Sequence, residues 1–306
     1  MKNFLDRASK AYYEGNPIIS DAEFDILASH FNYSTVGHTI TGGVPHYYRM
    51  YSLQNFFNLA DAPLNLKECV VSPKLDGAAV SVLFVGGELS LALTRGDGKL
   101  GRDITEKVEL LVPNNIPIKE VTQINGEVVA PKHIKNSRNY AAGSLNLKNI
   151  EEFHGRALIF VAYEVVKPYD DLWTRDMKAL HSWGFHTVYF SKLIHYPTDG
   201  EVYRLNDNKK FKELGYTSHH PRGAFALKEV QKGVVTTLLD VIWQTGKSGV
   251  VSPVAILEPV KIKDALISRA TLHNIEYIQG LNLEIGCKVE VIRSGEIIPR
   301  IVRRVE

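Results

Sequence analysis

Val71-Ser72-Pro73-Lys74-Leu75-Asp76-Gly77-Ala78-Ala79-Val80 places a lysine and a carboxylate two positions apart inside an apolar, strand-like run. Lysine is rarely buried unless it is paired. Desolvation penalises the ammonium form and makes a neutral, nucleophilic amine available, so Lys74 is the first candidate for a covalent role. K-x-D-G by itself is a weak signal. Its weight comes from the residues that accompany it.

Working outward, short β runs are expected at residues 78–85, 88–94, 121–129 and 157–166, with helical stretches near 104–111, 140–147 and 176–183. Upstream, residues 4–13 have helical spacing, Asn16-Pro17 breaks it, and Ser20 or Asp21 can cap a second helix over 22–31. Downstream, residues 233–306 hold about five β-rich stretches between glycine turns, with a helical interlude near 271–278, a layout that suits a five-stranded barrel of the OB type. The expectation is an α+β protein: a helical unit over 1–36, a mixed body over 37–228 and a barrel over 229–306.

Composition sets outer bounds. The 306 residues suit two or three domains, and 44% hydrophobic with 23% charged content is ordinary for a soluble globular protein. No apolar run reaches the length of a membrane span. Met1 to Arg7 carries an early acid and no long apolar core, so no signal peptide is expected. Two cysteines, Cys69 and Cys287, can build neither a disulfide framework nor a four-cysteine zinc site, and the expected setting is reducing and cytoplasmic. At a net charge of +2, any basic footprint for nucleic acid must be local.

Gly96-Asp97-Gly98-Lys99-Leu100-Gly101 matches the dinucleotide fingerprint letter for letter, but no βαβ unit opens it and only Glu120 loosely supplies the later acid; a glycine turn is expected. Thr245-Gly246-Lys247-Ser248 ends like a P-loop, yet Val241 stands where the first glycine is needed. His219-His220 reads as a solvated turn. Glu127, a single acid in an apolar strand, is either solvent-facing or a carboxylate for a ribose hydroxyl or a metal. Asp199, Arg204 and Lys228 again close apolar strands with charge. Charged strand residues converging on one cleft would make a phosphate-handling site.

In this order the pieces resemble the NAD-dependent DNA ligases over essentially the whole chain. Lys74-Leu75-Asp76-Gly77 looks like the motif of the AMP-accepting lysine, and Thr94-Arg95-Gly96-Asp97-Gly98 with Gly101, Asp103 and Thr105 like the family's T-R-G-D-G-x-x-G-x-D-x-T run. Asn125-Gly126-Glu127 looks like the third motif, Arg138-Asn139 with Ala141-Ala142-Gly143-Ser144-Leu145 like R-N-x-A-A-G-S-L, and Tyr163 like the aromatic that stacks on adenine. Asp199-Gly200 and Lys228 are similar to the fourth and fifth motifs. Gln244 to Gly249, Ser252-Pro253-Val254-Ala255, Leu257-Glu258-Pro259-Val260 and Ala270-Thr271-Leu272-His273-Asn274 resemble the family's OB-fold. Tyr12-Tyr13 and Ile19 to Asp25 resemble the helices that clasp nicotinamide mononucleotide; Tyr12, Phe24, Asp21 and Asp25 supply the aromatic faces and carboxylates that a cationic ring wants.

The resemblance implies a nucleotidyltransferase body with antiparallel sheets, NAD as substrate, magnesium, and nicked duplex DNA as partner, with no membrane. It implies catalytic roles for Lys74, Asp76, Arg95, Glu127, Arg204 and Lys228, with the cations depressing the Lys74 pKa. Nucleotide binding falls to Tyr12, Tyr13, Asp21, Phe24, Asp25, Ser52, Leu53, Ser72, Lys74, Arg95, Glu127, Tyr163 and Lys228. DNA contacts fall to Arg138, Lys247, Arg293, Arg300 and Arg303, with Arg304 in the same cluster. The chain also departs from the family. Tyr13 replaces histidine, Phe24 tyrosine, Ser72 a glutamate of the adenine pocket, Arg204 a lysine and Asn146 an arginine. The family normally continues with a zinc finger, helix-hairpin-helix repeats and a BRCT domain. The alternative expectations are therefore an adenylating subunit that needs a second polypeptide, or an RNA ligase or capping-type enzyme sharing the lysine motif.

Overall fold

Alternating apolar residues make the body of the chain predominantly β. In this computed structural model the described residues are 43–228, 233–245, 251–262, 265–294 and 298–305. The helical unit expected over 1–36, with Tyr12, Tyr13, Asp21, Phe24 and Asp25, lies outside them, as does Lys247. Residues 43–228 belong to one unit and 233–305 to another.

In chain order the strands of the first unit are β1 (Val44–Pro45), β2 (Gln54–Phe56), β3 (Cys69–Leu75), β4 (Ala78–Val85), β5 (Glu88–Thr94), β6 (Leu100–Gly101), β7 (Thr122–Val129), β8 (Ile159–Val165), β9 (His186–Thr187), β10 (Thr198–Leu205) and β11 (Ala224–Leu227). They form a five-stranded sheet ordered β5-β4-β7-β8-β9, a four-stranded sheet ordered β2-β11-β10-β3, and the pair β1-β6. Pro73 is tolerated because β3 is an edge strand. The expected helix over 104–111 contracts to Thr105–Val108, whereas the one expected from 176 begins earlier, at Trp173–Ser182.

The period of two decides which face of β7 does what. Ile124 and Val128 enter the core with Val80, Val82, Phe84, Phe160 and Met177. Gly126 lies against the Phe160 ring, where a Cβ would stand 2.3 Å from Cζ. Burying each large apolar side chain contributes roughly 1.5–3 kcal/mol. Gln123, Asn125 and Glu127 line the opposite face, and the polar groups of the candidate site start from that row.

The second unit is a closed barrel in which β12 (Val234–Thr245), β13 (Val251–Ile262), β14 (Ala265–Thr271), β15 (Lys288–Ser294) and β16 (Ile298–Val305) are ordered β12-β13-β14-β16-β15. Pairing of β12 with β15 closes the ring, and the helix Ile275–Gly280 falls between β14 and β15. Leu238, Ala255, Leu257, Val289, Val291 and Ile301 fill the interior.

Here one expectation is corrected. Arg300, expected on DNA, is 1% exposed. Its backbone pairs with Ile292 of β15 and Thr271 of β14, so the side chain is enclosed and cannot reach a phosphate. Burial first, then the nearby Arg300 charge, hold the His273 imidazole down at about 4. Arg303 stays exposed, paired with Glu290 at 2.5 Å, and Arg304 pairs with Glu284 at 3.0 Å. The side chain of Arg293 lies outside the described set. Among the described residues no helix is long and apolar enough to cross a membrane.

Candidate active site

Lys74 is the penultimate residue of β3, the edge strand of one sheet, and after the two-residue link Asp76-Gly77 Ala78 begins β4, an interior strand of the other. The Asp76-Gly77 link therefore stitches the two sheets together. Asp76 N–H donates to the Pro197 carbonyl at 2.9 Å. At Gly77 the backbone passes so close to β7 that a Cβ would lie 2.2 Å from the Val128 carbonyl oxygen and 3.1 Å from Glu127 Cγ. This crossing brings Lys74 and Glu127 into one electrostatic neighbourhood.

Across the four-stranded sheet, Lys74 is in register with Gly200 of β10. Lys74 Nζ donates to both oxygens of Asp199, at 2.8 and 3.0 Å. Lys228 Nζ, nearly buried, reaches the second oxygen at 3.3 Å. Gly200 has φ +148, and a Cβ there would stand 2.2 Å from the Leu227 carbonyl, so glycine lets β10 and β11 close on the two lysines. The ionic partner of Lys74 is thus a carboxylate shared between two amines, the second being Lys228, which was expected as a neighbour together with the cations Arg95 and Arg204. Asp199 was noted in the sequence as a charge closing an apolar strand and as the opening of a motif; its role as the ionic partner of Lys74 follows from strand register, which one sequence does not display.

Asp76 pairs with Arg138 of the helix Ser137–Ser144 at 3.1 Å. Arg95 Nη1 donates to Ser52 Oγ at 3.4 Å, and the Arg95 carbonyl and Ser81 hydroxyl lie 3.0 and 2.8 Å from the two His46 ring nitrogens. The Ser52 backbone is held in turn by the His219-His220 turn. Leu53 packs on the small apolar cluster of Leu205, Phe211 and Ala224. The glycine run 96–101 is a turn closed by Asp97 Oδ1, which accepts from Lys99 and Leu100 N–H at 2.8 Å each, and it runs into the short strand β6 instead of opening a helix as a phosphate cradle would. Asn146 accepts a hydrogen bond from Arg102 Nη1.

Arg204 does not join the Lys74 cluster. It stands opposite Val70, four register steps from Lys74, or about 13 Å along the strand. It is buried over Phe211 and Trp173 and donates to the Leu205 carbonyl and Asn208 Oδ1 at 2.7 and 2.8 Å. Ser72, between them on the same strand face, is buried. Tyr163 is half-buried on β8, at a shift in the pairing of that strand with β7.

Burial pushes the Glu127 carboxyl up to about 7, against the pull of Lys74, Arg95 and Arg138 and with help from Asp76. The native state therefore holds this proton more tightly than the unfolded chain, whose value is 4.5. The stabilisation is complete below about pH 4.5 and is lost as pH rises to about 7. Glu127→Gln should flatten the fall of Tm over that interval; an unchanged slope in melts across the pH series would contradict this account.

Among the described residues no group of three or more His, Cys, Asp or Glu gathers to cage a metal. Magnesium takes one or two carboxylates and keeps water and phosphate oxygens for the rest. Asp76 and Glu127, close enough to influence each other's charge, offer that limited set.

Comparison with known proteins agrees with this geometry. The model of the NAD-dependent DNA ligase adenylation domain matches residues 41–194, and that of the NAD-dependent DNA ligase OB-fold domain matches residues 235–306. The chain is 30% identical to a DNA ligase of Aquifex aeolicus (strain VF5), covering 96% of this chain and 51% of that protein. It is 32% identical to a DNA ligase of Campylobacter concisus (strain 13826), covering 98% and 56%, and 35% identical to one from Wolinella succinogenes, covering 84% and 47%. The chain spans about half the length of the curated relatives it matches. With its lysine motif at the junction of two sheets and a five-stranded barrel later in the sequence, this chain belongs to the NAD-dependent DNA ligase family.

Proposed function

We propose that this chain takes an adenylyl group from NAD onto Lys74 and passes it to the 5′-phosphate at a nick in duplex DNA. The observation that carries the reading is the Lys74 amine held against Asp199, which ties an ammonium group to a nearby proton acceptor. Lys74 Nζ gives up a proton, toward Asp199, and attacks the adenylyl phosphorus. A P–N bond forms, the P–O bond of the pyrophosphate breaks, and nicotinamide mononucleotide leaves with the bond electrons. Next, a 5′-phosphate oxygen attacks the same phosphorus, the P–N bond breaks and the amine recovers its proton. Finally the 3′-hydroxyl attacks the 5′-phosphate, loses its proton and expels AMP.

Lys228, Arg95 and Arg138 supply positive charge for the phosphoryl oxygens, fixed before the reaction so that little reorganisation is needed. Glu127 would accept from the ribose, and the Tyr163 ring would carry the base. A magnesium ion held by Asp76 or Glu127 with phosphate oxygens would supply further charge neutralisation when bound. The exposed Arg303 offers a sequence-independent phosphate contact. Incubation with NAD, ATP or GTP, each separately, followed by intact-mass measurement and a nicked-duplex assay, tests the reading. An AMP adduct from NAD only is expected. An adduct from ATP or GTP instead would move the chain to the other nucleotidyltransferases, and adduct without sealing would limit it to adenylyl transfer.

A further inference from the structure

Strand β8 contains a fault in its register. Val161 pairs with Glu127 and Ala162 with Gly126, but the next pair joins Glu164 to Asn125, so Tyr163 is an extra residue opposite no partner. Strict alternation from Val161 would send Tyr163 to the site face and Glu164 to the core face. The bulge changes the second of these and re-aims Glu164, as bulges beside functional sites do. Residues paired across a sheet share a face, so Glu164 lies on the face of Asn125 and Glu127.

The side chains agree. Asn125 Nδ2 donates to Glu164 Oε2 at 2.8 Å, and Asn125 Oδ1 accepts from Gln123 Nε2 at 3.0 Å. Gln123 is clamped in turn, with Nε2 2.9 Å from the Tyr48 carbonyl and Oε1 2.8 Å from the Tyr48 N–H. The chain of amides fixes which end of Asn125 donates, and so fixes the carboxylate while engaging one of its oxygens. Tyr163, Arg204 and Tyr216 each sense the Glu164 charge: it raises the two phenols, after burial in both cases, and it leads the acids that resist the burial-driven fall of Arg204 to about 10. Around this space Arg204 can only donate and the Ser72 hydroxyl is buried. A fixed carboxylate acceptor beside a stacking ring suits a base edge that donates.

We propose that Glu164 reads the base of the dinucleotide, accepting a hydrogen bond from the exocyclic amine of adenine, with Asn125 as its positioning residue. The inference rests on the adenylyl-transfer reading and on Tyr163 carrying the base. A purine with a 6-oxo group would set oxygen against the carboxylate. A glutamine at 164 could turn its amide to donate to that oxygen.

The test is single-turnover adduct formation with NAD and with nicotinamide hypoxanthine dinucleotide, in wild type, Glu164→Gln and Glu164→Ala. Wild type should favour NAD, and Glu164→Gln should lower the NAD-to-hypoxanthine rate ratio about 10–100-fold, the effect of one charge-assisted hydrogen bond. Glu164→Ala should lower it in the same direction. Because each ratio is taken within one preparation, partial misfolding cancels. An unchanged ratio in both variants, or loss of both reactions in both variants, would overturn the proposal and leave Glu164 a structural residue. No adduct from wild type with either dinucleotide would overturn the underlying reading instead.

Discussion

Lys74→Ala is expected to abolish the AMP adduct, with the adenylylation rate falling on the order of 10⁴-fold or more, since covalent catalysis has no route without its nucleophile. The one complication is Lys228, whose amine shares Asp199 with Lys74 at 3.3 Å. Peptide mapping after incubation with labelled NAD resolves it: any residual label should be absent from residue 228. Lys74→Arg is the sharper control. A guanidinium keeps the ion pair with Asp199 but is not a nucleophile at neutral pH, so the adduct should vanish while Tm stays close to that of wild type. A Lys74→Arg protein that still accepts AMP on this strand would remove the lysine from the mechanism.

Gly77→Ala is expected to have the largest effect on stability. The added Cβ would meet the Val128 carbonyl oxygen at 2.2 Å and Val129 Cγ1 at 2.8 Å. The oxygen belongs to the central β7 and cannot swing aside as the end of a flexible side chain could. Overpacking of this kind costs about 2–3 kcal/mol, which for a unit of this size lowers Tm on the order of 5–10 °C. Relief by separating the two sheets would also move Lys74 away from Glu127, and a displacement near 1 Å can slow chemistry about 10²-fold. Thermal melts and adduct rates on the same preparation check both. A variant with native Tm and rate would show that the crossing at Gly77 is looser than described.

These two positions differ in how legible they were. The lysine and its K-x-D-G setting stand out from one sequence because a charge in an apolar strand is chemically anomalous. The strands at Ala78–Val85 and Glu88–Thr94 were equally readable, since period-two alternation is a local property. So was the barrel, from five apolar runs between glycine turns. The helix expected over 104–111 shrank to one turn because apolar spacing there marks burial against β5 as much as helical propensity. The cationic C-terminal run promised phosphate contacts, but Arg300 faces inward while Arg303 is exposed, a choice made by strand register.

The motif strings thus carried the resemblance to the family, and residue chemistry with short-range periodicity carried the β-rich body, the barrel and most of the candidate charges. Only packing decided which of those charges meet. Asp199 reaches Lys74 because β10 pairs with β3 across 125 residues of chain, Arg204 is drawn off among Phe211, Trp173 and Asn208, and Glu164 turns toward Asn125 because one extra residue reverses its face. Pairing between distant strands is selected by the whole core at once, so no local window of residues contains it.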